Sequence, residues 1–85
     1  MLFRSAIELY ERALTILEAS YGPDHPQVAS TLTNLGIVYR ELGDRTRAIE
    51  LHERALTIFE ASYGPDHSYT TLARTNRDNL VDGGE

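Results

Sequence analysis

Two Asp-His pairs, Asp24-His25 and Asp66-His67, are the residues of this 85-residue chain best suited to catalysis or metal binding. A general base needs a group to activate, however, and a metal site needs three or four converging ligands. Both pairs lie in the same Tyr-Gly-Pro-Asp-His motif, which is typical of a structural linker. We therefore expect them to cap helices. An enzyme or metal protein built on them is the alternative.

The rest of the sequence lacks the motifs of known catalytic sites. It contains no HExxH, no GxSxG and no Gly-rich phosphate-binding loop. It has no Cys to act as a nucleophile or thiolate ligand, and all eight basic residues are Arg, so no Lys can form a Schiff base. We expect no enzymatic activity, no metal and no other cofactor.

Charge and hydropathy exclude further classes of partner. Thirteen acidic residues against eight basic ones give a net charge of −5, without any basic run. This balance argues against nucleic acid or an anionic membrane as the main partner. No apolar run approaches the roughly 20 residues of a membrane span, and the N-terminus lacks the apolar stretch of a signal peptide. We expect a cytoplasmic protein.

A long internal repeat predicts how these residues are positioned. Residues 6–25 and 48–67 are identical at 18 of 20 positions, and the copies lie 42 residues apart. The two differences are Tyr10 against His52 and Leu17 against Phe59. His52 is expected to be a partly buried core or interface residue, with a pH-sensitive or ligand-binding role as the alternative.

Each copy predicts an amphipathic helix ended by Gly and Pro. The apolar residues of the first copy span about half of the helix circumference: Ala6, Ile7, Leu9, Tyr10, Ala13, Leu14, Ile16 and Leu17. A face this wide predicts packing against two neighbouring helices. Gly22 and Gly64 suit a left-handed C-cap, with Pro directly after it.

A second type of helix, from about residue 26 to 42, lies between the copies and has three sectors. The main apolar sector contains Val28, Thr31, Leu32, Leu35, Val38, Tyr39 and Leu42. Ala29 and Gly36 share a narrow side with only small residues, which favours close approach of another helix because a Gly inside a helix is otherwise costly. The third sector is polar apart from Ile37, and its other members are Ser30, Thr33, Asn34, Arg40 and Glu41.

This spacing resembles the tetratricopeptide repeat, a helix-turn-helix unit. The matching residues are Leu32, Asn34, Leu35, Gly36, Tyr39, Gly43, Asp44, Ala48, Ile49, Ala55 and Leu56. The period is longer than the usual unit of about 34 residues and, with its YGPDHP linker, is similar to the kinesin-light-chain type. The resemblance implies an all-α, right-handed solenoid of four antiparallel helices, about 2–20, 26–42, 45–62 and 68–81, in one domain spanning 1–85. One complete unit covers about 26–62, and the chain starts inside a unit.

The last helix departs from the repeat. Arg74 and Arg77 stand where the middle helix has Leu32 and Leu35. Its own stripe contains Tyr69, Leu72, Ala73, Asn76, Leu80 and Val81. A more polar last helix suits the end of a solenoid, because nothing packs on its outer side.

The resemblance implies a protein-interaction module without catalytic activity. In this family the first-type helices line a concave groove that holds extended or short helical peptides, and an Asn at the position of Asn34 often holds the peptide backbone. The implied groove residues are Ser30, Thr33, Asn34, Ile37, Arg40 and Glu41, with Asn76 as the counterpart of Asn34 in the last helix. The alternative is that these residues are simply exposed to solvent.

A second hypothesis is self-association through the first helix. The helix that usually precedes it in the family is absent, which leaves an apolar face open. The residues of this face are Met1, Leu2, Phe3, Ile7 and Leu14. A homodimer, or a helix swap across the linker, would bury it. The chain would then be a structural repeat fragment, either engineered or truncated.

Overall fold

The computed structural model describes residues 2–81, with the side chains of residues 4–81. They form four helices, α1 (Leu2–Tyr21), α2 (Pro26–Glu41), α3 (Arg45–Tyr63) and α4 (Ser68–Val81), and no strand occurs within residues 2–81. The predicted all-α helical repeat fold is confirmed. None of these helices is long and apolar enough to cross a membrane.

The helices of the repeated sequence end at a glycine. Gly22 and Gly64 have φ values of 88° and 89°, in the left-handed region that side chains with a Cβ rarely adopt. Their backbone N–H groups donate to the carbonyls of Glu18 and Glu60, at 2.9 and 3.0 Å. These bonds close the last turn, and the left-handed residue redirects the chain toward the next helix.

The helix after each of these turns begins at the linker histidine. His25 Nδ1 accepts the backbone N–H of Gln27 at 3.0 Å, and His67 Nδ1 accepts that of Tyr69 at 3.0 Å. Each imidazole also stacks on the tyrosine that ends the preceding helix, with ring centroids 4.4 Å apart. Of the two residues in each Asp-His pair, the histidine therefore caps the helix.

The core lies mainly between helices that are consecutive in sequence. One buried cluster contains Val28, Ala29, Leu32, Ala55, Leu56, Ile58, Phe59 and Ala73, and the other contains Leu35, Tyr39, Ala48 and Leu80. Helices α2, α3 and α4 each contribute to both clusters. Side chains of α1 pack against them while remaining partly exposed. Each helix is therefore held mainly by its neighbours in sequence, as expected for a repeat protein.

Gly36 allows α3 to come close to α2. A Cβ at this position would lie 2.8 Å from both Cε1 and Nε2 of His52, well inside the roughly 3.5–4.0 Å that favours contact between carbon atoms. The imidazole cannot easily move away, because His52 is only 1% exposed. The small-residue side of α2 thus accommodates the ring that replaces Tyr10 in the second copy.

The last helix buries a narrower stripe than its sequence suggests. Ala73 and Leu80 are buried, and so is Thr70, which lies outside the expected stripe. Tyr69, Leu72 and Val81, which belong to that stripe, are exposed. The reason is that α4 packs mainly on α3, so a single neighbouring helix covers only part of its apolar arc.

Gly36→Ala should destabilise the protein, although alanine favours a helix by about 1 kcal/mol over glycine. The added methyl group overlaps the buried imidazole, and overpacking of this kind costs about 1–3 kcal/mol. Urea unfolding followed by circular dichroism measures the change. In the His52→Ala background the same substitution should be neutral or stabilising. An unfolding midpoint that rises in the single variant contradicts the close contact.

Candidate functional site

A cavity of about 220 Å³ opens on the surface formed by α2 and α4. Its lining consists of Ser30, Thr33 and Asn34 from α2, Phe59 from α3, and Tyr69, Leu72 and Ala73 from α4. The α2 side is therefore polar and the α4 side mostly apolar. This combination can accept an apolar group while hydrogen-bonding to the polar atoms beside it.

The structure brings three of the predicted groove residues together in this cavity. Ser30, Thr33 and Asn34 lie within one turn of α2. The hydroxyl of Thr33 donates to the carbonyl of Ala29 at 3.0 Å. The exposed amide of Asn34 forms no hydrogen bond with any residue that the structure describes. Asn34 is thus free to bind a ligand.

The other predicted groove residues lie outside the cavity lining. Ile37 follows one turn after Thr33 on the same face of α2 and is 38% exposed. Arg40 and Glu41 are exposed at the end of α2, where Arg40 Nη2 lies 3.4 Å from Glu41 Oε2. Asn76 is half-buried on α4 and does not reach the cavity.

Sequence reasoning missed the apolar wall of the cavity. Tyr69 and Leu72 were assigned to the packed stripe of α4, yet they are 52% and 55% exposed and line the cavity. The repeat contained the signal, because Leu72 lies 42 residues after Ser30, which was already placed in the groove. Equivalent positions on two helices of the same type face the same side of the array.

Aromatic contacts hold Tyr69 in place at the rim of the cavity. Its ring centroid lies 5.6 Å from that of Phe59, 5.8 Å from that of Tyr63 and 4.9 Å from that of His67. Pairs at these separations attract one another beyond the burial of their area. The wall is therefore preorganised by the same linker histidine that caps α4.

His52 is buried on α3, with its imidazole against Gly36 of α2. Its Nδ1 has no hydrogen-bond partner among the described residues. Burial lowers the pKa of this imidazole below its ordinary value of 6.5, and the nearby positive charge of Arg40 lowers it further. The ring is a packing element at neutral pH, and protonation would place an unpaired charge inside the core.

The open face of α1 differs from the predicted one. Ile7 and Leu14 are half-buried and pack against the core clusters, because α2 covers the side of α1 on which they lie. The side chains of Leu2 and Phe3, predicted with them, are outside the described residues, as is Met1. The exposed apolar side chains of α1 are instead Leu9 and Ile16, at 61% and 64%.

The Asp-His pairs lie in the turns before α2 and α4. No group of three or more His, Cys, Asp or Glu side chains in the described part of the chain could hold a metal ion. Asp24 and Asp66 are exposed to solvent. The imidazole nitrogens that face the backbone are engaged as helix caps.

Comparison with known proteins identifies one family. The model of a family described as tetratricopeptide repeat matches residues 2–61, which include α1, α2 and nearly all of α3. No curated protein matches the chain.

The stability of the fold should fall as the pH drops below about 6.5. The pKa of His52 is lowered in the folded state. Between that pKa and 6.5 the unfolded chain therefore binds more protons than the folded one. Each pH unit in this range lowers the free energy of unfolding by at most about 1.4 kcal/mol. Above 6.5 the contribution is constant. Urea titrations at several pH values measure the slope.

His52→Leu should reduce this pH dependence. His67→Asn is the matched control, because it removes another histidine while keeping a side chain that can cap α4, and it should retain the His52 contribution. Equal slopes in the wild type and the His52→Leu variant contradict the assignment.

Proposed function

Because the chain belongs to the tetratricopeptide repeat family, we propose that it is an interaction module that binds a peptide in the groove between α2 and α4. Repeats of this family generally mediate protein–protein interaction. We assign the chain to the long form of the repeat, similar to that of kinesin light chains, since its copies lie 42 residues apart. The module has no catalytic role and acts in the cytoplasm.

The cavity between the two helices is the observation that supports this site best. It has a volume of about 220 Å³, an apolar wall with exposed Tyr69 and Leu72, and a polar wall with the unpaired amide of Asn34. Binding sites typically combine apolar walls with a few polar groups that fix orientation. If these residues were simply exposed to solvent, neither a cavity nor an exposed aromatic ring beside it would be expected.

The chemistry of these walls supports one class of ligand. An aliphatic or aromatic side chain of the peptide enters the cavity between Tyr69 and Leu72, and Asn34 pairs with the peptide main chain. Ile37 contacts a second apolar residue one turn along α2, and Arg40 at the end of that helix favours an acidic side chain. A peptide of mixed apolar and acidic composition, bound with micromolar affinity, fits this arrangement.

Peptides selected from a random library on the intact protein should lose affinity when the groove is altered. Asn34→Ala removes the backbone contact, and Ile37→Glu and Leu72→Asp place charge on apolar contacts, so each should weaken binding by about tenfold or more. Fluorescence anisotropy of a labelled peptide measures the change. Glu53→Ala, at an exposed position of α3 outside the cavity, is the control. Unchanged affinity in all three groove variants refutes the groove.

Self-association through α1 is the second candidate function, and its exposed apolar side chains favour it. Ile16 is 64% exposed, whereas Ile58, its counterpart in the second copy, is 3% exposed. Leu9 is likewise exposed while Leu51 is half-buried. A second chain that covers α1 would bury apolar side chains whose counterparts in α3 are already buried or half-buried.

The average mass from light scattering should therefore rise with protein concentration. Ile16→Ser should reduce this rise because it removes apolar area from the open face. Leu72→Ser removes a similarly exposed side chain from the groove and should leave the rise unchanged. A strict monomer over the whole concentration range excludes self-association.

A further inference from the structure

The near-identical helices α1 and α3 have different surroundings. Ala48, Ala55 and Ile58 are buried in α3, whereas the equivalent Ala6, Ala13 and Ile16 of α1 are at least partly exposed. Because the two helices have nearly the same sequence, the contacts that α3 makes indicate what the exposed side of α1 can bind.

Polar contacts of one arginine join α3 to the end of α1 and to the turn that follows it. Arg54 Nη2 lies 2.6 Å from Glu18 Oε2 and also donates to the carbonyl of Pro23 at 3.3 Å. The contact links one copy of the repeat to the turn of the other. Arg12 is the equivalent of Arg54 in α1. It is exposed and has no hydrogen-bond or ion-pair partner among residues 4–81.

The acceptors of this contact recur at the other end of the chain, where a different arginine binds them. Glu60 and the Pro65 carbonyl are the equivalents of Glu18 and Pro23. Arg74 Nη2 lies 3.6 Å from Glu60 Oε2 and donates to the Pro65 carbonyl at 3.2 Å. Arg74 belongs to α4, so the acceptor pair is filled from within the chain. Arg74 also occupies the position in α4 that is equivalent to the buried Leu32 of α2, so α4 has no buried leucine there.

We propose that the two ends of this chain are complementary halves of one joint, and that Arg74 keeps one half closed. The open half is the face of α1 with Leu9, Arg12 and Ile16, and the closed half is the acceptor pair of Glu60 and Pro65. The occupant is a second copy of this chain, docked head to tail so that its Arg12 replaces Arg74. The inference specifies the self-association proposed above and rests on the same open face.

Charge complementarity supports this occupant, and so does the equivalent contact that Arg54 already makes with Glu18 and Pro23 within the chain. The acceptor pair binds a guanidinium at both places where the structure describes it. The second copy would present Arg12 from the same sequence context as Arg54. Arg74 competes effectively because it is tethered to its site, which gives it a high effective concentration. Its ion pair is 1.0 Å longer than that of Arg54, so a docking arginine can form the shorter contact.

Arg74→Ala should open the acceptor pair and promote association of the intact chain. Sedimentation velocity should detect complexes at a concentration about tenfold lower than for the wild type, as expected for one charge-assisted contact. Arg77→Ala is the matched control, because it removes the same charge from the same helix, where Arg77 pairs with Asp78, and should behave like the wild type. Circular dichroism establishes that the variants are folded, and Arg74→Gln is a second variant if alanine impairs folding.

A mixing experiment distinguishes head-to-tail docking from other contacts. The double variant Arg12→Ala/Arg74→Ala has an open acceptor pair but no docking arginine, so it should stay monomeric where Arg74→Ala associates. Mixed with the wild type, which supplies Arg12 but keeps its own acceptors closed, it should form a one-to-one complex. Because a head-to-tail dimer still has one unused α1 face and one unused acceptor pair, Arg74→Ala alone should form complexes larger than dimers.

Three results would overturn the joint. They are a monomeric Arg74→Ala variant, association of the double variant as strong as that of Arg74→Ala, and no complex in the mixture. If the wild type self-associates through Ile16 while these variants have no effect, self-association stands and the joint fails. If the wild type is monomeric but Arg74→Ala associates through Arg12, the joint stands and self-association of the native chain fails.

Discussion

The contact between Gly36 and His52 determines how closely the two central helices approach. Nothing larger than a hydrogen atom fits on α2 at this point, because a Cβ would lie 2.8 Å from the imidazole. Both residues are individually unfavourable, since glycine weakens a helix and a buried nitrogen without a partner loses its hydration. The close approach offsets these costs by burying Leu32, Leu35 and the inner side of α3. Phe59, which lines the cavity, lies on that same helix.

The fold class could be predicted from the sequence because the same information occurs twice. A single amphipathic segment leaves its neighbours unknown, but two near-identical copies joined through Gly-Pro turns predict a stack of helices. The turn residues also indicated where each helix ends. They did not indicate whether Asp24 or His25 caps the next helix. That choice depends on the stacking of His25 on Tyr21, which is a contact in space that no periodicity encodes.

Exposure at the ends of the stack could not be predicted in the same way. A helical wheel gives the width of an apolar face but not the part of it that a neighbour covers. For this reason Ile7 and Leu14 were expected to be open, whereas Leu9 and Ile16 are the exposed residues. The polar wall of the cavity followed from the resemblance to a known repeat, since Ser30, Thr33 and Asn34 lie together. The apolar wall arises where α4 diverges from α2, so this divergence in sequence gives the cavity its apolar side.

The near-identity of the two copies also bears on how such a gene changes length. Recombination between the stretches encoding residues 6–25 and 48–67 would remove or duplicate 42 codons, corresponding to one pair of helices. Each product would keep the glycine turn and the histidine that caps the following helix, because both lie inside the repeated stretch. In the product that gains 42 codons, the new junction would place the same residue types together as the contact that Arg54 makes with Glu18. The architecture can thus be inherited as a variable number of intact units.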